Sequence, residues 1–485
     1  MQSAISFVLD GTITTIDFAP GSKLKPTTTV LNYLRSLPDQ KGVKEGCAEG
    51  DCGACSVVLG ELVNGSIRYR VVDSCLVFLP MIHGKQLITV ENLKINGDEL
   101  HPVQQAMIDT DGSQCGFCTP GIIMAMFALY KNRTNPTRAE IDDALTGNLC
   151  RCTGYRSIIE AAVKSCVQNG MDQFTKNEPE ISKLLKSISS ESVHILTDKQ
   201  RYYRPATLPE ALELAAEHPD AVIITGATDA ALRVTKKHEF LEEVIDLSGV
   251  AELNFVDEAN NSVTIGAGTS LTDVMPVVKD EFGALSAMLE VFGSQQIRNF
   301  ATLSGNLGTA SPIGDTLPVL ITYGASVILE SKRGKREIPV EQFITGYRET
   351  ARAPDELITA IKIPKTLKDE LHRSYKISKR KDLDISTLSS GFKLVLDNGG
   401  RVDSIILAYG GMAERIKRAA SVEQFLRGKE WTRETVEDAM QYIDNDFTPI
   451  SDVRGGEEMR RIAAKNLLLK FWIDTSDIFK QKIVV

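Results

Sequence analysis

Apolar positions alternate over short runs through the first 90 residues. Ser6-Phe-Val-Leu-Asp-Gly-Thr-Ile-Thr-Thr-Ile reads as a β-hairpin turning at Asp10-Gly11, a pair that suits the left-handed backbone of a two-residue turn. One helix, Thr28 to Leu37, interrupts these strands. From Pro102 to Cys166 the period lengthens to that of helices: Pro102–Thr110, Pro120–Lys131, Arg138–Leu145 and Tyr155–Val167. Thr137 and Glu140 stand in capping-box spacing before the third. The most apolar run, Gly121 to Tyr130, is ten residues long, too short for a membrane span, and predicts a buried helix. Asn169 to Ser192 is polar, has no sustained period and contains Glu178-Pro179, as a linker would. Beyond Tyr202 helices and strands alternate: helix Leu208–Glu217, strand Ala221–Thr225, helix Leu271–Asp280, strand Ser326–Leu329. The tail from about Ser374 is α+β, with strands Ser389–Leu396 and Val402–Gly410 before charged helices. The pattern predicts a multidomain α+β chain divided at 1–90, 91–168, a linker at 169–195, 196–372 and 373–485.

Composition narrows the class. A chain of 485 residues with 42% apolar and 25% charged positions is globular in type, with room for several domains. The net charge is −9 and no long basic run is present, so nothing calls for nucleic acid or an anionic membrane as partner. Met1-Gln-Ser-Ala lacks the basic region of an export signal. All nine cysteines lie in the first 166 residues, in tight groups. Grouped thiols without an export signal point to metal ligands kept reduced, with the cytoplasm as compartment. The six histidines form no i, i+3 or i, i+4 pair, and none is assigned to metal or catalysis.

The strongest motif is Glu45-Gly-Cys-Ala-Glu-Gly-Asp-Cys-Gly-Ala-Cys55, with Cys75 nineteen residues further on. Cys47, Cys52, Cys55 and Cys75 thus have the C-x4-C-x2-C…C spacing of a plant-type [2Fe–2S] site. A loop wrapping four sulfurs needs left-handed backbone, which Gly46, Gly50 and Gly53 adopt at little cost, and its N–H groups can donate to sulfur. A four-cysteine zinc site is the alternative, although zinc more often pairs two C-x2-C knuckles. A second set, Cys115, Cys118, Cys150 and Cys152, places each of its pairs just before a predicted helix. Helix N-termini stabilise thiolates, so two such starts brought together make a four-thiolate cage. Spacing alone leaves iron–sulfur and zinc open here. Cys166 remains, on the apolar face of the last helix, and suits core packing.

Further on, Ile223-Ile-Thr-Gly226 is a strand running into a glycine turn whose N–H groups could hold a pyrophosphate. Thr302-Leu-Ser-Gly-Asn306 continues to Asp315 as a polar, glycine-bearing loop. There is no G-x-G-x-x-G motif, which excludes a Rossmann site, and ordinary loops also collect Gly and Ser. Lys332-Arg-Gly-Lys-Arg336 reads as a solvated turn between strands.

Gln114-Cys-Gly-Phe-Cys-Thr-Pro-Gly-Ile and Gly147-Asn-Leu-Cys-Arg-Cys-Thr-Gly-Tyr are signatures of the xanthine dehydrogenase family of molybdenum hydroxylases. Over nearly its whole length the chain resembles the iron–sulfur and FAD part of that family. The resemblance implies a β-grasp ferredoxin-like [2Fe–2S] domain, a four-helix [2Fe–2S] domain, an FAD-binding α/β domain and a C-terminal α+β domain, with iron at the second cysteine set. It implies FAD phosphates on Ile223, Ile224, Thr225, Gly226, Ala227, Thr228, Asp229 and Ala230, and on Thr302, Leu303, Ser304, Gly305 and Asn306. Asp315 would meet the adenosine half, with Phe292, Ile358 and Lys376 as further flavin contacts. Tyr347 matches an aromatic position near the isoalloxazine; a half-buried core tyrosine is the competing reading. Lys379-Arg-Lys381 beside Asp382-Leu-Asp384 matches a loop bordering the flavin that could attract nicotinamide phosphates, or be surface charge only.

No stretch corresponds to the family's molybdopterin region, so the resemblance implies a separate molybdopterin-binding large subunit, in a dimer of heterodimers. Hypoxanthine or xanthine would be hydroxylated there, with electrons passing through the two [2Fe–2S] clusters to FAD and then NAD. No catalytic residue for the substrate is expected in this chain. The same residues also fit an aldehyde or N-heterocycle hydroxylase, or a free-standing flavin and iron–sulfur carrier.

Overall fold

The computed structural model describes residues 3–18, 21–94, 99–167 and 171–483. Readings at Met1 and Asn169, and the boundary at 168, fall outside them. The chain forms two compact units, Met1–Glu252 with Gly293–Ala301, and Leu253–Phe292 with Thr302–Val485.

The first unit opens with strands β1 (Ala4–Leu9) and β2 (Thr12–Asp17), helix α1 (Val30–Ser36), then β3 (Ser56–Val63), β4 (Ser66–Asp73) and β5 (Gln86–Ile88). Their order is β2-β1-β5-β3-β4, with β1 and β5 parallel and the other neighbours antiparallel, which is a β-grasp sheet. Asp10 and Gly11 turn the β1–β2 hairpin with φ of 51° and 71°, as read from the sequence. Four helices follow: α2 (Pro102–Asp109), α3 (Thr119–Asn132), α4 (Arg138–Leu145) and α5 (Arg156–Val167). Gly121 to Tyr130 is buried throughout α3, and α4 carries the expected Thr137–Glu140 capping box. Cys166 is buried in the core between these helices and the sheet.

The stretch read as a linker holds instead a helix, α6 (Gln173–Ser187), with Pro179 inside it. Its polar face hid the period. Asp172 caps it by accepting from the Thr175 N–H, and Phe174, Ile181 and Leu185 are buried. Asp172 is also pinned by His101 at 3.2 Å and Lys131 at 2.9 Å. Burial alone would raise its pKa, but these partners hold its carboxyl well below the usual range. The unit closes with β6 (Val193–Leu196), β7 (Arg201–Arg204), α7 (Leu208–Glu217), β8 (Val222–Ile224), α8 (Ala230–Thr235) and β9 (Glu243–Asp246). These strands form a second sheet, β6-β7-β9-β8, whose apolar side chains share one core with the β-grasp sheet.

In the second unit β10 (Val256–Glu258), β11 (Ser262–Gly266), β12 (Ser326–Ser331), β13 (Gly334–Pro339) and a later strand, Leu357–Pro364, make a five-stranded antiparallel sheet. The basic run Lys332–Arg336 spans the β12–β13 turn, where Arg333 pairs with Asp355 and Arg336 with Glu356. A four-stranded sheet follows from Leu371–Ile377, Leu388–Leu396, Val402–Gly410 and Lys417–Arg418. Helices Ala420–Leu426, Arg433–Ala439 and Glu457–Ile483 contribute Val422, Leu426, Val436, Leu468 and Phe471 to its core. Residues 196–372 contribute to both compact units.

Candidate iron–sulfur and flavin sites

Cys47, Cys52 and Cys55 lie in the loop between α1 and β3, and Cys75 in a turn after β4. Gly50 and Gly53 have φ of 77° and 66° as expected, but Gly46 does not; Ala48, at 54°, takes the left-handed position instead. Gly46 is needed for space: a Cβ there would stand 2.8 Å from Cys52 Sγ. The N–H groups of Glu49 and Asp51 point at Cys47 Sγ, at 3.4 and 3.3 Å. The thiols meet in pairs, Cys47 with Cys52 and Cys55 with Cys75. The Cys52 thiol and these N–H groups hold Cys47 down at about 5, while its partner Cys52 is pushed up. Cys75 hydrogen bonding and burial raise Cys55.

The second set is also paired: Cys115 with Cys152, and Cys118 with Cys150. Cys118 is the residue before α3, and the Cys150–Cys152 turn leads into α5 through Gly154 and Tyr155, with φ of 66° and 68°. Cys115 is lowered by the Phe117 N–H, whereas burial lifts Cys118 to about 12. Cys115 and Cys152 are exposed.

Two pairs suit a [2Fe–2S] cluster, which takes two cysteines on each of two irons; one tetrahedral zinc needs four thiolates converging on one centre. Among the described residues, no three Cys, His, Asp or Glu side chains form a group that could hold one ion. Four thiols in two pairs fit each cluster, and N–H groups already aimed at sulfur would bond the bound form.

Two neighbours escaped the motif reading. Asp73, nearly fully buried, accepts from the Cys55 thiol at 3.7 Å, and burial keeps its own carboxyl well above the usual range. Asn148, inside the second motif, bonds the Gly53 carbonyl of the first loop at 3.0 Å. Its place next to the ligand pair was the available signal; Asp73 left none.

The candidate flavin residues divide between the units. In the first, Ile223 and Ile224 end β8, and Thr225 to Asp229 form the turn into α8, which begins at Ala230. A Cβ on Gly226 would stand 1.8 Å from the Phe300 carbonyl oxygen, so only glycine fits. In the second, Thr302 to Asn306 is not the expected loop but the start of a helix, Leu303–Thr309. Thr302 caps it by accepting from the Gly305 N–H at 2.9 Å, which is why a polar stretch is helical. Thr302, Leu303 and Ser304 are buried and Gly305 is exposed. Phe292 follows helix Gly283–Glu290, and Ile358 lies on strand Leu357–Pro364.

Asp315 and Lys376 come together in a buried ion pair of 2.9 Å, their side chains 7% and 5% exposed. Ser386 donates to the other Asp315 oxygen at 2.6 Å, and Lys376 also donates to the Val291 carbonyl at 3.0 Å. Ser389, the cross-strand partner of Lys376, has a fully buried hydroxyl with no hydrogen-bond partner among the described residues. An orphan hydroxyl beside a buried charge pair fits a bound polar group such as part of FAD. Tyr347 is 62% exposed and is no core residue. Arg380 is bound to Asp384 and Lys379 to the Val453 carbonyl, so two of the three loop cations are engaged.

Two paired-thiol sites on a β-grasp and helical scaffold suit an iron–sulfur protein. Family models agree: a [2Fe-2S] binding domain matches residues 89–163, an FAD binding domain in molybdopterin dehydrogenase 197–366, and a CO dehydrogenase flavoprotein C-terminal domain 373–475. The chain belongs to the molybdenum hydroxylase family that includes xanthine dehydrogenase, and is its iron–sulfur and FAD electron-transfer region. It is 34% identical to a xanthine dehydrogenase of Emericella nidulans, over 97% of this chain and 38% of that one. It is 30% identical to human aldehyde oxidase, over 94% of this chain and 38% of the relative. The chain thus spans 38% of the length of these relatives. Among solved structures, a carbon monoxide dehydrogenase of Hydrogenophaga pseudoflava shares the fold at a TM-score of 0.53 and 24% identity, over 57% of this chain and 96% of that one. Quinoline 2-oxidoreductase of Pseudomonas putida 86 gives 0.52 and 25% over the same shares. No helix among the described residues is long and apolar enough to cross a membrane.

Proposed function

We propose that this chain is the electron-transfer component of a xanthine dehydrogenase whose molybdopterin lies on a separate large subunit, in a cytoplasmic dimer of heterodimers. When bound, two [2Fe–2S] clusters and FAD supply the carriers between hypoxanthine or xanthine oxidation on that subunit and NAD. Cys115, Cys118, Cys150 and Cys152 would hold one cluster, and Cys47, Cys52, Cys55 and Cys75 the other. The N–H groups of Glu49, Asp51 and Phe117 would bond the bound thiolates and hold the loops in place. Exposed Cys115 and Cys152 put the second set at the surface, where a partner's donor can approach; in the first set Cys55 and Cys75 are buried and Cys47 and Cys52 half-buried. Asp315 and Lys376 would orient the flavin from within the second unit, with Ser389 offering its hydroxyl.

The single observation carrying this reading is the pairing of all eight thiols, two by two, in a family whose members hold iron–sulfur and FAD. The matched carbon monoxide dehydrogenase chain is covered to 96% by 57% of this one. The likeness to aldehyde oxidase favours a second reading, in which the same carriers serve an aldehyde or an N-heterocycle. Iron, sulfide and flavin analysis of the purified complex tests the carriers, with about four irons and four sulfides per chain expected for two [2Fe–2S] centres. Zinc without labile sulfide refutes them. Flavin bleaching under xanthine, an aldehyde or quinoline, followed by NAD reduction, selects the substrate class and acceptor.

A further inference from the structure

The two cysteine loops touch through a short polar chain that no cysteine thiol takes part in. Cys52 offers its carbonyl to the Leu149 N–H at 3.0 Å, so one hydrogen bond and one peptide unit separate ligand Cys52 from ligand Cys150. Beside it, the Asn148 amide nitrogen donates to the Gly53 carbonyl at 3.0 Å and to Ser56 Oγ at 3.3 Å. Asn148 Oδ1 then accepts from Gln296 Nε2 at 2.8 Å. Asn148 and Gln296 are only 3% and 1% exposed.

A carbonyl can only accept, which fixes both amides. Gly53 O demands the NH2 of Asn148, so Oδ1 must face Gln296, and Gln296 must present its own NH2. There is no slack around them. A Cβ on Gly53 would stand 2.4 Å from Asn148 Nδ2, and one on Gly147 would stand 2.1 Å from Gln296 Oε1. Gln296 is itself anchored: Arg298, on the same short helix Gln295–Arg298, pairs with Asp143 of α4, and Asn299 donates to the Val71 carbonyl of β4 at 2.7 Å.

We propose that Asn148, oriented by Gln296, is a positioning residue that fixes the first cysteine loop against the second and so sets electronic coupling between the two cluster sites. The Cys52–Leu149 hydrogen bond is the direct link, and the Asn148 amide holds it closed. The inference rests on the [2Fe–2S] reading of both loops, and the test separates the two.

The full chain is prepared as parent, Asn148→Asp and Gln296→Met, and iron, sulfide and FAD are counted first. In Asn148→Asp an oxygen replaces the donor facing Gly53 O; in Gln296→Met the amide orientation is lost with every residue of both loops unchanged. Both should retain their irons and FAD, yet exchange the Leu149 amide hydrogen about tenfold faster, the expected effect of losing one buried hydrogen bond. The spin–spin splitting between the two reduced centres in EPR should change, and electron transfer between them should slow. Loaded variants with parental Leu149 exchange, splitting and transfer rate overturn the positioning role while leaving the cluster assignment intact. Loss of iron from both variants assigns the amides to folding and also overturns it. A parent without two [2Fe–2S] signals refutes the underlying reading instead.

Discussion

Replacing Lys376 by Met removes the ammonium that donates to Asp315 and to the Val291 carbonyl while keeping most of the side chain's length. Both partners of the pair are more than nine-tenths buried. Removing one member of such a pair strands the other charge in low dielectric, and about 3 kcal/mol of destabilisation is expected. Asp315 retains the Ser386 hydroxyl, which holds the loss near the lower end of that range. Adding Asp315→Asn removes the stranded charge, so the double variant should recover to within about 1 kcal/mol of the parent. FAD affinity should behave differently. A charge-assisted hydrogen bond is worth about 1.5–3 kcal/mol, so the dissociation constant should rise about 10- to 100-fold in the single variant and stay raised in the double.

Both quantities are accessible. The two tryptophans, Trp431 and Trp472, lie in the second unit, so urea unfolding followed by their fluorescence reports on that unit alone. Free FAD is titrated by the recovery of flavin emission on release. Recovery of FAD affinity together with stability in the double variant would show that the pair only packs the fold, and would remove it from the flavin site.

In Gly226→Ala the new methyl meets the Phe300 carbonyl, which is backbone and cannot swing aside; overpacking costs about 1–3 kcal/mol, and FAD content should fall while iron and sulfide stay at parental levels. Cys47→Ser should abolish one of two [2Fe–2S] EPR signals and block flavin reduction by substrate, whereas NADH should still reduce the flavin; flavin reduction by substrate at the parental rate would reject the proposed order of carriers. Glu61 is held down at about 2 against burial by Lys85 and Arg70, from an ordinary value of 4.5, a difference of about 3 kcal/mol. Its folded value is the lower one, so this stabilisation is complete above pH 4.5 and is lost as pH falls towards 2. Amide-exchange protection of β3 and β4 should therefore drop across that range in the parent and change far less in Glu61→Gln; parallel profiles would refute the argument.

What the sequence makes legible follows from how local each signal is. Helix α4 begins and ends where its capping box and period place it, because Thr137 and Glu140 settle that end within four residues. Cysteine spacing is equally local, and within each set the thiols meet in pairs. Helix α6 is the opposite case. A proline and a polar face argue against it, and what holds it is Asp172 bound to Lys131 and His101, 41 and 71 residues away. Thr302–Asn306 looks like a loop for a related reason: glycine and serine lower helix propensity, and the Thr302 cap with Ser304 bonded to the Ala267 carbonyl overrides it.

The same logic explains why the ligands could be read and their mutual arrangement could not. Spacing says which thiols share a loop; it does not say that Asn148 reaches Gly53 across 95 positions or that Gln296 reaches Asn148 across 148. The second of these contacts comes from Gly293–Ala301, nine residues that the chain lends from the stretch beyond Phe292 to the first unit. With Ile297 set against the first loop at Gly50, Arg298 on α4 and Asn299 on β4, this segment braces both cysteine loops at once. The order of the carriers along the sequence and the rigidity of the path between them therefore have different sources. The first is written in motifs, and the second depends on a distant segment folding back.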